Sequence, residues 1–227
     1  MRPVPDPGIV VRLLRDDRPV GHGLLVADDL VITCAHVVNL AAGRAAREPG
    51  APAQPVRLHH PVGGAAEAVV AHWLPADPWR PVDDVALLRL TAPLRSEALA
   101  RLVGSLPERE EPLTFFAHPD EGGLRDGAVG AVVCSGIDVT GMVQLAPLPG
   151  AVLLPAQGCS GAPVFNALGD VVGMVAQVFC MTPPMALAVP VDRLFASCPG
   201  LPGRERHLVR RQTAGTVRVD RGLSGRT

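Results

Sequence analysis

GHGLLVADDLVITCAHVV, residues 21–38, carries two β-rich runs and a histidine in a short span. Gly21–Val26 and Leu30–Thr33 are too short for helices and rich in β-branched and apolar residues, and Asp28-Asp29 makes a polar break between them. The same grammar continues outward. Further strands are predicted at Ile9–Leu14, Pro55–His59, Ala68–Leu74, Val85–Leu90, Leu113–Ala117, Ala128–Ile137, Met142–Leu145, Ala162–Phe165, Val171–Val178 and Ala186–Val189. Turn material separates them, as in Asp16–Pro19, Pro61–Gly64, Pro119–Gly123 and Asn166–Asp170. This regular spacing predicts an all-β fold of sandwiches or barrels. Helical signal is thin. Leu94–Val103 reads as a helix or a polar linker, Val191–Ser197 as a terminal turn, and Ala41–Ala53 as a surface loop.

The chain has 227 residues, a formal charge of −1, 48% hydrophobic and 19% charged residues. That composition excludes wholesale disorder, and near-neutral charge argues against general nucleic-acid binding. No apolar run is long enough to span a bilayer. Met1–Pro7 lacks the apolar core of a secretory signal. All 21 basic residues are Arg, which removes Lys chemistry. Five Cys, with no CxxC pair and no export signal, predict reduced thiols in a cytoplasmic protein. His59, His60 and His72 have no Cys partners at ligand spacing, so no metal and no cofactor are expected. From Gly203 onward seven Arg face only Glu205 and Asp220, which predicts a basic, flexible tail.

Three segments carry chemistry. In Gln157-Gly158-Cys159-Ser160-Gly161-Ala162 a serine stands in a glycine loop that opens an apolar strand. Gly158 allows a close backbone approach, and the N–H groups of Gly158 and Ser160 are candidates for an oxyanion hole. A serine hydroxyl needs a base. Among seven histidines, His36 alone follows an apolar strand end, where its ring would be exposed and rigidly held. His22 reads as a turn residue and His118 as a residue before a proline. The base in turn needs an orienting carboxylate. Asp84 immediately precedes the apolar run Val85–Leu90, where burial demands a hydrogen-bond partner. Asp83 reads as ordinary turn.

Together these segments resemble the trypsin/chymotrypsin-like serine proteases. LVITCAHVV is similar to the family's histidine segment, DDVALLRL to its aspartate segment, and GCSGAPVFNALGDVVGMVA to its serine segment, in the family's order. ALAVPVDRL resembles a strand-to-helix segment of bacterial stress proteases of this fold. The resemblance runs from about residue 8 to 197. It implies two six-stranded antiparallel β-barrels with a short C-terminal helix and a site in the cleft between them. The expected divisions are an N-terminal barrel over 1–105 with His36 and Asp84, a C-terminal barrel over 106–200 with Ser160, and a tail over 201–227.

The resemblance also implies a serine endopeptidase acting on protein or peptide substrates. Cys159 replaces the acidic residue of secreted members, Ala162 replaces a second glycine, and the secreted members' disulfides are missing. These departures fit an intracellular bacterial branch, the effector-associated trypsin-like domains, which implies a regulatory protein partner and a place in bacterial conflict systems. Two alternatives stay open: a silent scaffold of the same fold that binds peptides or partner proteins, and cysteine chemistry through Cys159. By resemblance the substrate pocket has its floor at Leu154 and its other wall at Ala176-Gln177-Val178. No Asp or Glu lies between Asp138 and Asp170, so the pocket is expected to be apolar and shallow.

Overall fold

Val10–Arg15 (β1) and Arg18–Ala27 (β2) are joined by Asp16 and Asp17, both at positive φ (49° and 63°). Two left-handed residues make a hairpin turn whose twist matches the strands, and aspartate tolerates that conformation better than most residues. In this computed structural model, residues 6–75, 77, 83–94, 96, 98–118 and 127–203 are described. The basic segment from Arg204, with His207, and the turn at Pro119–Gly123 lie outside the described residues.

The remaining elements are Leu30–Thr33 (β3), Ala35–Ala41 (α1), Val56–His60 (β4), Gly64–Leu74 (β5), Val85–Leu90 (β6), Pro112–Ala117 (β7), Ala128–Ile137 (β8), Val143–Pro147 (β9), Pro163–Phe165 (β10), Val171–Phe179 (β11), Met185–Pro190 (β12) and Val191–Ser197 (α2). They form two closed antiparallel barrels, β1-β2-β3-β6-β5-β4 and β7-β8-β9-β12-β11-β10. The strand order of the first repeats in the second, although no sequence period announces it. The all-β, two-barrel expectation holds, with α2 as the short C-terminal helix.

Alternation along the second barrel's strands explains how the two units join. On β7, Leu113, Phe115 and Ala117 enter the second barrel's core, while Phe116 joins the core that is continuous with the first barrel. On β12, Ala186 and Ala188 point inward and Leu187 and Val189 outward to that shared core. A strand buried on both faces packs one set of side chains into its own barrel and the other into the seam. α2 seals the arrangement. Leu194 and Phe195 lie in the shared core, and the Ser197 carbonyl accepts from His72 Nε2 on β5 at 2.7 Å. Each fully buried Leu, Val or Phe in this seam is worth roughly 1.5–3 kcal/mol.

Several local expectations need correction. Pro19 and His22 lie within β2 rather than in a turn. The residues after Thr33 form α1, so His36 stands on the first turn of a helix rather than at a bare strand end. The described residues of Leu94–Val103 form no helix. They run as an extended linker strapped to both barrels, through Ala100 N to Leu25 O (2.8 Å) and Val103 N to Val171 O (2.9 Å). Arg101 on this linker pairs with the buried Asp170 ahead of β11.

Candidate active site

Asp84 ends the approach to β6 and is 4% exposed. Its Oδ1 accepts the backbone N–H of His36 at 2.9 Å, and its Oδ2 faces ring Nδ1 of His36 at 2.5 Å. Two bonds fix both the start of α1 and the plane of the ring. They place the ring proton on Nδ1 and leave Nε2 as an acceptor, a tautomer set by the partner.

Ser160 comes from the opposite barrel, and two contacts across the seam, each braced by a second within one barrel, bring its loop against the His36 segment. The Ser160 carbonyl accepts from His22 N at 2.7 Å, and the His22 carbonyl accepts from Thr33 Oγ1 at 2.5 Å. The Val175 carbonyl accepts from both Gly161 N (2.7 Å) and Cys34 Sγ (3.4 Å). Gly161 is required here. Its φ is +83°, and a Cβ would stand 1.7 Å from the His22 carbonyl oxygen. Ser160 Oγ itself donates to the Ala176 carbonyl at 3.5 Å and makes no hydrogen bond to His36.

The amides around Ser160 alternate. Cys159 N donates to Ala156 O at 3.1 Å and Gly161 N to Val175 O. Among the described residues, the N–H groups of Gly158 and Ser160 have no acceptor. Gly158 is at φ +90° with open space where a side chain would be. Two free donors flanking a hydroxyl suit the binding of a developing negative oxygen.

Cys159 is 3% exposed in the second barrel's core, and burial pushes its thiol up. Its side chain therefore faces the second barrel's interior rather than the seam. Leu154 does not fill a pocket floor. It is 43% exposed, and its neighbour Leu153 is the one that enters the core. Burial in this loop follows the packing of Leu153, Pro155 and Cys159 rather than the family's spacing. Ala176 is buried with its carbonyl beside Ser160, Gln177 is half-buried, and Val178 packs against the second core.

Sequence reasoning missed His22. It is 1% exposed, and its Nε2 accepts from the His118 backbone at 2.9 Å across the seam. A histidine between two glycines was a weak signal for burial. Two further histidines have structural partners: His60 Nε2 with Gly8 O at 2.7 Å, and His59 Nδ1 with Arg12 Nη2 at 2.9 Å.

For a metal, one set among the described residues is close enough: Cys34 Sγ, a His36 ring nitrogen and an Asp84 oxygen lie within 4.8 Å of one another. The donor chemistry does not fit an ion. Asp84 already accepts twice from His36, and burial, then the nearby Asp84 charge, push the Cys34 thiol well above its usual range. A metal requires the thiolate.

The family model for the trypsin-like peptidase domain matches residues 21–174, more than half of the chain. The chain belongs to the trypsin-like peptidase family. No curated protein sequence matches it. Among solved structures it is similar to a serine endoprotease from Yersinia pestis (18% identity, TM-score 0.59, covering 94% of this chain and 64% of that one). It is also similar to Rv3671c from M. tuberculosis H37Rv, solved as a serine-to-alanine mutant in an inactive form (18%, TM-score 0.60, 86% and 87%). The MamO protease domain from Magnetospirillum magneticum gives 18%, TM-score 0.58, 84% and 95%. At this identity the likeness is one of fold. The chain spans 64% of the Yersinia protein's length.

Proposed function

We propose that this chain is a serine endopeptidase that cleaves peptide bonds through an acyl-enzyme. Ser160 Oγ attacks the scissile carbonyl. His36 Nε2 takes its proton and returns it to the leaving amine. Asp84 holds the tautomer and stabilises the imidazolium. The N–H groups of Gly158 and Ser160 hold the oxyanion, and losing one such donor typically costs on the order of 10²–10³ in kcat. The observation that carries this reading is a doubly held His36 on one side of the seam and, in the loop bonded across it, a serine beside two free amides.

One observation favours a second reading, a silent scaffold that binds peptides or partner proteins: Ser160 Oγ is turned to Ala176 O rather than to His36. Catalytic hydrogen bonds are often loose before substrate binds, so the endopeptidase is the preferred reading. A fluorophosphonate probe decides between them. Covalent labelling of the wild type that is lost in Ser160→Ala supports the enzyme, and no labelling supports the scaffold.

The finer placement is a regulated effector protease of the bacterial cytoplasm, restrained by a protein partner. It draws on the sequence resemblance and on five unpaired cysteines. No helix among the described residues is long and apolar enough to cross a membrane.

A further inference from the structure

We propose that His22 is the positioning residue of the nucleophile loop, clamping residues 158–161 to both barrels; the catalytic part of this inference rests on Ser160 being the nucleophile. The backbone half of the clamp is the bond from His22 N to Ser160 O, at 2.7 Å, and the close approach of Gly161 to the His22 carbonyl. The side-chain half is the ring. Its Nε2 accepts from His118 N at 2.9 Å, so its proton sits on Nδ1. That buried Nδ1 meets no hydrogen-bond acceptor among the described residues, while backbone at Gly158 and Ser160 raises the ring's affinity for a proton against the effect of burial. The ring also stacks on His118 (centroids 5.5 Å, 13°), whose ring packs on the edge or face of Phe116 (5.2 Å, 90°).

The peptide planes explain why this matters. A plane is rigid, so fixing both its ends fixes its orientation. The 158–159 plane has its N–H on Ala156 O. The 160–161 plane has its oxygen on His22 N and its N–H on Val175 O. The two planes between and before them carry the free N–H groups of Gly158 and Ser160. Pinning alternate planes leaves those donors little freedom to turn inward. An apolar residue such as the neighbouring buried Leu24 would fill the space without the bond to His118.

The test compares His22→Gln with His22→Asn by hydrogen–deuterium exchange and by fluorophosphonate labelling. Glutamine places an oxygen about where Nε2 stands and can accept from His118 N. Asparagine is one methylene too short. The expected result is at least ~10-fold faster exchange of the 156–162 segment in His22→Asn, with β11 and β12 unchanged, and near wild-type exchange in His22→Gln. The labelling rate should fall on the order of 10²-fold in His22→Asn, the scale of a lost oxyanion donor, with peptide KM unchanged and with recovery in His22→Gln. Equal behaviour of the two variants, unchanged loop exchange in His22→Asn, or global unfolding of both would overturn the proposal and leave His22 a packing residue. The exchange contrast with an unlabelled wild type would keep the clamp and defeat the serine-peptidase reading instead.

Discussion

Asp84 holds His36 twice, once at the helix backbone and once at the ring, so one carboxylate sets both where the imidazole stands and which nitrogen carries its proton. Replacement by the isosteric amide separates these tasks. Asp84→Asn should keep the fold, because an amide oxygen can still accept from the His36 backbone. It should lower the fluorophosphonate labelling rate and kcat by roughly 10⁴ through the wrong tautomer. Asp83→Asn should leave both nearly unchanged. The reverse pattern would move the role to Asp83.

Ser160→Ala should abolish hydrolysis without lowering the melting temperature by more than a few degrees, because Ser160 is half-buried and its only side-chain bond is the long one to Ala176. Cys159→Ala should keep labelling. Four of the five thiols are buried and Cys180 is exposed, with burial pushing Cys198 up to about 11. A thiol reagent at neutral pH should therefore modify one cysteine in the native protein and five after denaturation. A melting temperature that falls many degrees in reductant would reveal a required disulfide.

Gly161→Ala and Gly158→Ala test backbone approach against backbone strain. Both glycines sit at positive φ, but only at Gly161 would a Cβ collide with backbone, 1.7 Å from His22 O. Gly158→Ala should cost about 1–2 kcal/mol from strain alone. Gly161→Ala should cost clearly more and abolish labelling, because the loop must leave His22. Urea unfolding measures both, and equal costs would show that the seam yields.

Acid should destabilise the protein through His22. Burial first, then the nearby His118 charge, lower its pKa from 6.5 to about 3, and Arg12 on β1 acts the same way. The backbone at Gly158 and Ser160 opposes them. Between pH 6.5 and 3 the unfolded chain binds a proton that the folded chain refuses, so this contribution is complete above 6.5 and lost as pH falls toward 3. From pH 7.5 to 4.5 the loss should be about 2–3 kcal/mol. His22→Gln should remove that part of the slope in denaturant titrations at the two pH values. An unchanged slope would mean that His22 is not held neutral.

Cleavage should favour small or medium aliphatic residues before the scissile bond. No carboxylate occurs in residues 139–169, Asp170 is committed to Arg101, and the strand whose Ala176 carbonyl faces Ser160 continues into the apolar Val178. A buried cation without a partner is prohibitively costly. A misfit of one methylene changes the barrier by only ~1–3 kcal/mol, so selectivity should be modest. Peptide-library profiling checks this, and dominant cleavage after Arg or Lys would refute it.

Strand identity was legible in the sequence because it is local. The short continuous apolar runs at Leu30–Thr33 and Val85–Leu90 fall where the strands lie, since β-rich composition and flanking turn residues act over a few positions. The glycine loop at Ser160 and the carboxylate before β6 were legible for the same reason: Gly158, Gly161 and Asp84 are each unusual against their immediate neighbours. What tertiary structure decided depends on partners far away in the chain. The helix at Ala35–Ala41 carries few local start signals, and the backbone bond from His36 N to Asp84, 48 residues on, holds its first turn. Leu153 rather than Leu154 enters the core because the irregular loop has no period to read. His22, bracketed by glycines, resembled a turn until β2 closed against β1 and the second barrel brought His118 onto its ring and the Ser160 loop onto its backbone. Barrel closure, not local propensity, creates that environment, because its contacts span about a hundred residues and form only when both barrels are in place.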